Sequence, residues 1–261
     1  MALARNTGST LGGICVNLLI NDGGVVVDLG SAASTPVAHA NVTYGSASWD
    51  GNTRPYFQTA EAISQGVTFS ANAPVLKHGS GEGGNGQFLA MAKGVGTAAD
   101  KQHVVTTSAN FAAGFGYGAD SGAWVMVGAN GTLLLTSGQA DATTDYTTET
   151  AIVWNSKFNQ PTDGRQIFVD ADTGTQSTWD AEATEGGDGP TGATVASIGF
   201  STAATTYLGS RIFVYANFSR LLTLSEAQQL RDDWWTQLIT EEAAAADHVK
   251  ARRMLTWQYD R

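Results

Sequence analysis

The sequence predicts an all-β protein, an antiparallel β-sandwich closed late in the chain by one amphipathic helix. Three observations predict it. About a dozen apolar, β-branched or aromatic runs are separated by Gly, Asn, Asp, Ser and Thr signals at spacings typical of a sandwich. No helical pattern alternates with these runs, which argues against a parallel α/β sheet. The 261 residues include 31 glycines and only 15% charged residues, which suits strands and turns better than helical bundles.

The elements follow in order. "GICVNLLI" and "GVVVDLG" open the series, joined by "NDGG", a strong turn signal. "HANVTYGSASWDG", "RPYFQTA", "GVTFSANAPVLKHG", "GQFLAMAKG" and "KQHVVTTSANFAAGFGYG" continue it. "AWVMVGANGTLLLTSG" reads as a hairpin through Asn130-Gly131, a pair favoured in type I′ turns. "ETAIVWNSKF", "RQIFVDADTG", "ATVASIGF" and "SRIFVYANFSR" complete the strands, and Trp124 and Trp154 fall in patterns that bury them. The acidic, Gly-rich stretch 180–193 reads as a surface loop. Then "LLTLSEAQQLRDDWW" starts a helix: Thr223 is an N-cap, and Glu226 three residues on completes a capping box. Leu222 can staple onto Ala227, while Ala227, Leu230, Trp234 and Leu238 share one face.

Taken with the strand before it, this segment resembles the closing signature of the concanavalin A-like, laminin-G-like jelly rolls. The residues that carry the resemblance are Arg220, Thr223, Glu226 and Leu230 in "SRIFVYANFSRLLTLSEAQQL". "GSASWDGNTRPYFQT", "TAIVWNSKFNQPTDGRQIFVDADTG" and "ASIGFSTAATTYLGSRIFVY" resemble the family's early strand pair, central hairpin and approach to the last strand, in that order. Trp49 stands where the family commonly has Phe, and one extra residue separates Arg220 from Thr223. The resemblance spans residues 14 to 238 and implies two stacked antiparallel sheets. It implies no single function, because the fold hosts lectins, glycosidases, adhesion modules and virion proteins, including those of bacteriophage particles.

Charge and motifs narrow the classes. A net charge of −10 repels phosphate backbones, so nucleic acid is an unexpected partner. No signal core is present near the N-terminus, and no run reaches the ~18 apolar residues of a membrane helix, so a soluble, non-secreted protein is expected. The lone Cys15 lies in an apolar run and reads as a small buried hydrophobe. Glycosidase chemistry needs two carboxyl groups presented together. The candidate cluster, Asp180, Glu182 and Glu185, lacks the alternation of a central strand and reads as a solvated loop. His39, His78, His103 and His248 show no metal-ligand spacing, and no "G-x-S-x-G" elbow occurs. No catalytic residues are therefore assigned, and a non-enzymatic protein is expected.

Asp170 and Asp172 are candidate calcium ligands. An EF-hand is excluded by Gly174 and Ala181 at the fifth and twelfth positions, and a hairpin turn capped by Asp is the preferred reading. Trp179, Phe115 and Tyr117 are candidate stacking platforms for a glycan, against a competing and preferred role in the core. Residues 1–240 are expected to form the jelly roll and 241–261 an arm, helical to about 253 and then extended, with Arg252, Arg253, Trp257 and Tyr259 at an interface. The functional expectation is a structural or surface protein of a virion: capsid decoration, head fibre or tail component. It would contact other virion proteins and further copies of itself. The alternative is a glycan-binding module for host attachment, calcium-assisted or without any cofactor.

Overall fold

The computed structural model describes residues 2–38, 40–59, 66–70, 85–93, 102–107, 114–118, 123–127, 133–136, 149–156, 165–170, 179, 181–183, 195–199 and 210–242. The runs "CVNLLIND" and "SRIFVYANF" are buried almost throughout, the mark of strands covered on both faces. They become β2 (Cys15–Asp22) and β17 (Ser210–Phe218), neighbouring interior strands of the larger of the two main antiparallel sheets. That sheet also holds β3 (Val25–Asp28), β5 (Thr43–Trp49), β6 (Asn52–Gln58), β8 (Asn85–Lys93), β13 (Glu149–Ser156), β14 (Arg165–Asp170) and β15 (Ala181–Ala183). Its main path runs β15-β14-β13-β8-β17-β2-β3, with β6 also on β17 and β5 on β6.

The smaller sheet holds β4 (Val37–Ala38), β7 (Val67–Ser70), β9 (Gln102–Thr107), β10 (Gly114–Gly118), β11 (Ala123–Val127), β12 (Leu133–Thr136) and β16 (Val195–Ile198). Their order is β12-β11-β10-β9-β16-β7-β4, and every described pairing in both sheets is antiparallel. The architecture is the antiparallel jelly-roll sandwich expected. Between the sheets Tyr215 meets Phe69 and Trp154, with ring centroids 5.7 and 6.4 Å away. On the opposite face Phe88, Ala90, Val153 and Phe213 pack under α2 (Leu224–Leu238). Alternation along each strand thus supplies two cores, one per face.

Tight turns are where their residues require. Gly23 and Gly24 between β2 and β3, and Asp50 and Gly51 between β5 and β6, all have positive φ, as a type I′ turn demands. The Asp28 carboxylate shapes the next loop. Its Oδ1 accepts from the backbone N–H of Leu18 and Gly30 at 2.8 and 2.9 Å, and its Oδ2 from Asn17 Nδ2 at 2.6 Å.

Helix α2 begins as its capping box requires. Thr223 Oγ1 accepts from Glu226 N at 3.2 Å, and Glu226 Oε2 from Thr223 N at 2.9 Å. Arg220 closes a two-pronged pair onto Glu226 at 2.6 and 2.8 Å, which gives the arginine of the closing motif its role. Leu222 and Ala227 are buried in one cluster, as a staple needs. At Asp233 the helix breaks: φ is −159° and ψ 65°, and Oδ1 accepts from Thr236 N at 3.2 Å like a fresh N-cap. The break lets the consecutive Trp234 and Trp235 both be buried, which a straight helix face would resist.

Three expectations change. Ala181–Ala183 lies in the stretch read as loop but forms edge strand β15, with Glu182 opposite Gln166, because the main-chain ladder overrides weak strand propensity. Glu241 and Glu242, expected to open a helix, instead end β18 (Ile239–Glu242), which pairs with β1 (Ala2–Arg5); the rest of the expected arm, 243–261, lies outside the described residues. The N-terminus, in which no element was expected, forms β1 and α1 (Thr10–Ile14), the latter capped by Ser9. Its purpose is visible at the end of α2. The Leu238 carbonyl accepts from Asn6 N at 2.8 Å, Thr236 from Asn6 Nδ2 at 2.6 Å, and Gln237 from Ser9 Oγ, satisfying helix carbonyls that otherwise lack partners. No described helix is long and apolar enough to cross a membrane.

Candidate ligand-contact face

The β5–β6 hairpin is the element that joins α2 over the larger sheet. It is held at four points. Its base pairs with β17 through Gln58–Arg211 and Phe57–Ile212. Asn21 Nδ2 donates to the Tyr56 carbonyl at 2.9 Å. At its tip, Asp50 N donates to Glu149 Oε2 at 3.0 Å. Trp49 is inserted between Phe213 and Trp234, with centroids 5.0 and 6.1 Å away. Strand alternation then puts Gly45, Ala47, Arg54 and Tyr56 on the same hairpin face as Trp49. The Tyr56 ring lies across Gly45, where a Cβ would meet its hydroxyl at 2.5 Å and push the ring aside.

Cations sit on the aromatics. The Arg54 guanidinium lies 4.1 Å from the Trp235 ring centroid, and that of Arg211 lies 5.3 Å from Tyr56. Both geometries are cation–π contacts. Partial burial lowers the Arg54 pKa, while Glu241 and Asp233 favour its charged form. Burial raises the Tyr44 phenol. Further along α2, Arg231 covers Phe168 at 5.8 Å while its Nε donates to Asp232 at 2.7 Å. Trp179 meets Phe168 edge-on at 6.2 Å.

Chemically, this face can stack on a ring and donate charge-assisted hydrogen bonds. Among the described residues no three His, Cys, Asp or Glu side chains cluster as metal ligands. Cys15 is fully buried, and burial raises its thiol pKa well above the ordinary range, as a core hydrophobe should behave.

The residues singled out from sequence are distributed as follows. Trp179 is half-buried and packs against the helix-side core. Phe115 and Tyr117 belong to β10, where Phe115 pairs with Val105 and Met126, and Tyr117 with Gln102 and Trp124. Along the same ladder Val105 pairs on with Ile198, and Ile198 with Val67. Asp170 ends β14 opposite Ala151. The side chains of Phe115, Tyr117 and Asp170 lie outside the described set, as do Asp172, Arg252, Arg253, Trp257 and Tyr259 altogether. Arg54, Tyr56, Arg211 and Trp235 were not singled out. The available signal was the period-2 alternation of "SASWDGNTRPYFQ" around its turn.

No protein-family model and no curated protein matches this chain. Solved structures do. The binding domain of botulinum neurotoxin DC, in complex with rat synaptotagmin II, superposes with a TM-score of 0.62 at 8% identity, covering 87% of this chain and 53% of that one. The binding domain of Paraclostridial Mosquitocidal Protein 1 gives 0.59 at 11%, covering 85% and 52%. A botulinum neurotoxin type C structure, whose cell entry depends upon interaction with two ganglioside molecules, gives 0.60 at 10%, covering 85% and 52%. At these identities the likeness is one of fold: a jelly-roll-like sandwich, found here in binding domains. The chain spans about half the length of these structures, so no ligand site transfers with it.

Proposed function

We propose that this chain is a non-enzymatic binding module that contacts a glycan or protein partner through the hairpin–helix face. The observation that carries the reading is that face itself: arginines seated on aromatic rings, presented by elements pinned at four points. Rigid anchors of this kind lose little entropy on binding. The neurotoxin binding domains lend support at the level of fold, since they use such a sandwich in chains named for binding. The setting we propose is the surface of a virion, where the module would meet host surface or other virion proteins. That placement rests on the sequence resemblance alone.

The test is a glycan array and a host-surface protein pull-down, each run with and without chelator, using the whole chain and Arg54→Gln and Tyr56→Ala variants. Binding that falls at least about tenfold in the variants is expected if each removes a charge-assisted or stacking contact. Binding unchanged in both variants would remove the face from the proposal, and release of reducing sugar from a bound glycan would remove "non-enzymatic". Mass spectrometry of purified particles decides the virion setting.

A further inference from the structure

We propose that Arg211, seated on Tyr56 at the base of the β5–β6 hairpin, receives a single carboxylate carried on an otherwise neutral glycan; this deepens the binding-module reading and rests on it.

The arginines with described side chains differ in one respect. Arg5 donates to the Cys15 carbonyl at 2.7 Å, Arg220 pairs with Glu226, and Arg231 pairs with Asp232. Arg54 has Asp233 and Glu241 in its electrostatic surroundings. Arg211 has no hydrogen-bond acceptor and no ion pair among the described residues, and its Nε is buried without a partner. A buried donor left unpaired loses its hydration and gains nothing in exchange. Tyr56 compensates through its ring but accepts no hydrogen bond from the guanidinium. Among the described residues the guanidinium therefore meets an aromatic ring and no acceptor. A carboxylate is the group whose planar two-oxygen geometry it matches.

The surroundings choose the carrier. Across the ladder, Arg211 stands opposite Gln58 on one side and Ala92 on the other, and Gln58 stands opposite Thr43. Thr43 is exposed and Gln58 and Tyr56 are partly so. A hydroxyl, an amide and a phenol ring suit sugar hydroxyls and a sugar face. A peptide usually adds to a free sheet edge, whereas Arg211 sits inside the sheet, on a strand paired with β6 on one side and β8 on the other. The net charge of −10 opposes a polyanion, which limits the ligand to one or few charges.

The experiment titrates the full chain by NMR with 3′-sialyllactose, lactose, the methyl ester of 3′-sialyllactose, and N-acetyl-glutamate amide. Saturable binding of sialyllactose is expected, with lactose and the methyl ester roughly 10- to 100-fold weaker, the span of a lost charge-assisted hydrogen bond. Arg211→Gln should match that loss, and Arg211→Lys should recover part of it, since it keeps the charge without the fork. The ester makes the test independent of whether any variant folds. Equal binding of lactose or ester, an unaffected Arg211→Gln, or no binding of sialyllactose would overturn the proposal. Equal binding of N-acetyl-glutamate amide would overturn the glycan as carrier. If sialyllactose fails while the array retains another ligand on this face, only this inference falls; if the array retains nothing, the binding-module reading falls with it.

Discussion

In Asn155→Ala, the backbone of Leu222 loses both of its hydrogen-bond partners at once. Asn155 is fully buried on β13. Its Nδ2 donates to the Leu222 carbonyl at 2.7 Å and to Gln166 Oε1 at 2.9 Å, and its Oδ1 accepts from Leu222 N at 2.9 Å. Leu222 precedes the N-cap of α2, so the helix ladder cannot satisfy these groups. An unmet buried N–H or C=O costs about 1–3 kcal/mol each. Two of them, plus the small cavity, come to about 3–5 kcal/mol, a large part of a typical stability of about 5–15 kcal/mol. At roughly 2–4 °C per kcal/mol for a chain of this size, Tm should fall by about 6–20 °C. Calorimetry, with a urea titration in which the midpoint moves and the m-value does not, measures it. A fall under about 2 °C would refute the reasoning, because it would mean that water or another group already serves Leu222.

Three further outcomes follow from the same structure. Glu226 is held down to about 2, from an ordinary 4.5, chiefly by the Arg220 hydrogen bond. Its contribution should be complete above pH ~4.5 and fade as pH falls toward 2, and Glu226→Gln should remove that part of the acid-stability curve. Cys15 should stay unlabelled by a thiol reagent at pH 8 in the native protein and react fully in denaturant; fast native labelling would contradict its burial. In Gly30→Ala a Cβ would stand 2.1 Å from the Val16 carbonyl oxygen. The backbone must then move, and a loss of about 2 kcal/mol or more is expected in a urea melt, whereas a neutral result would show the loop adapts.

Features set by neighbouring residues were readable in the sequence. The Thr223–Glu226 capping box, the turn through Gly23 and Gly24, and the burial of Cys15 each depend on chemistry within a few positions. Features set by distant partners were not. Ala2–Arg5 is a strand because Ile239–Glu242 lies beside it, and Asn6 matters because the Leu238 carbonyl needs a donor. Neither segment has a strong pattern alone. The break at Asp233 is a local competition between helix continuation and an Asp cap, won because it buries two tryptophans. The contact face was hidden for the same reason as β1: Arg54 meets Trp235, and Arg211 meets Tyr56, across more than 150 residues in each case.

Fluorine NMR of the chain carrying 5-fluorotryptophan tests the central claim most directly. The seven tryptophans give separate reporters, assigned by single Trp→Phe substitutions. Trp49 and Trp235 lie beneath the hairpin–helix face, and Trp154 lies between the sheets as an internal control. On titration with a ligand retained by the array, the account predicts saturable shifts at Trp49 and Trp235 with Trp154 unmoved. Saturable shifts elsewhere, with Trp49 and Trp235 silent, would place the binding site on another surface and contradict it.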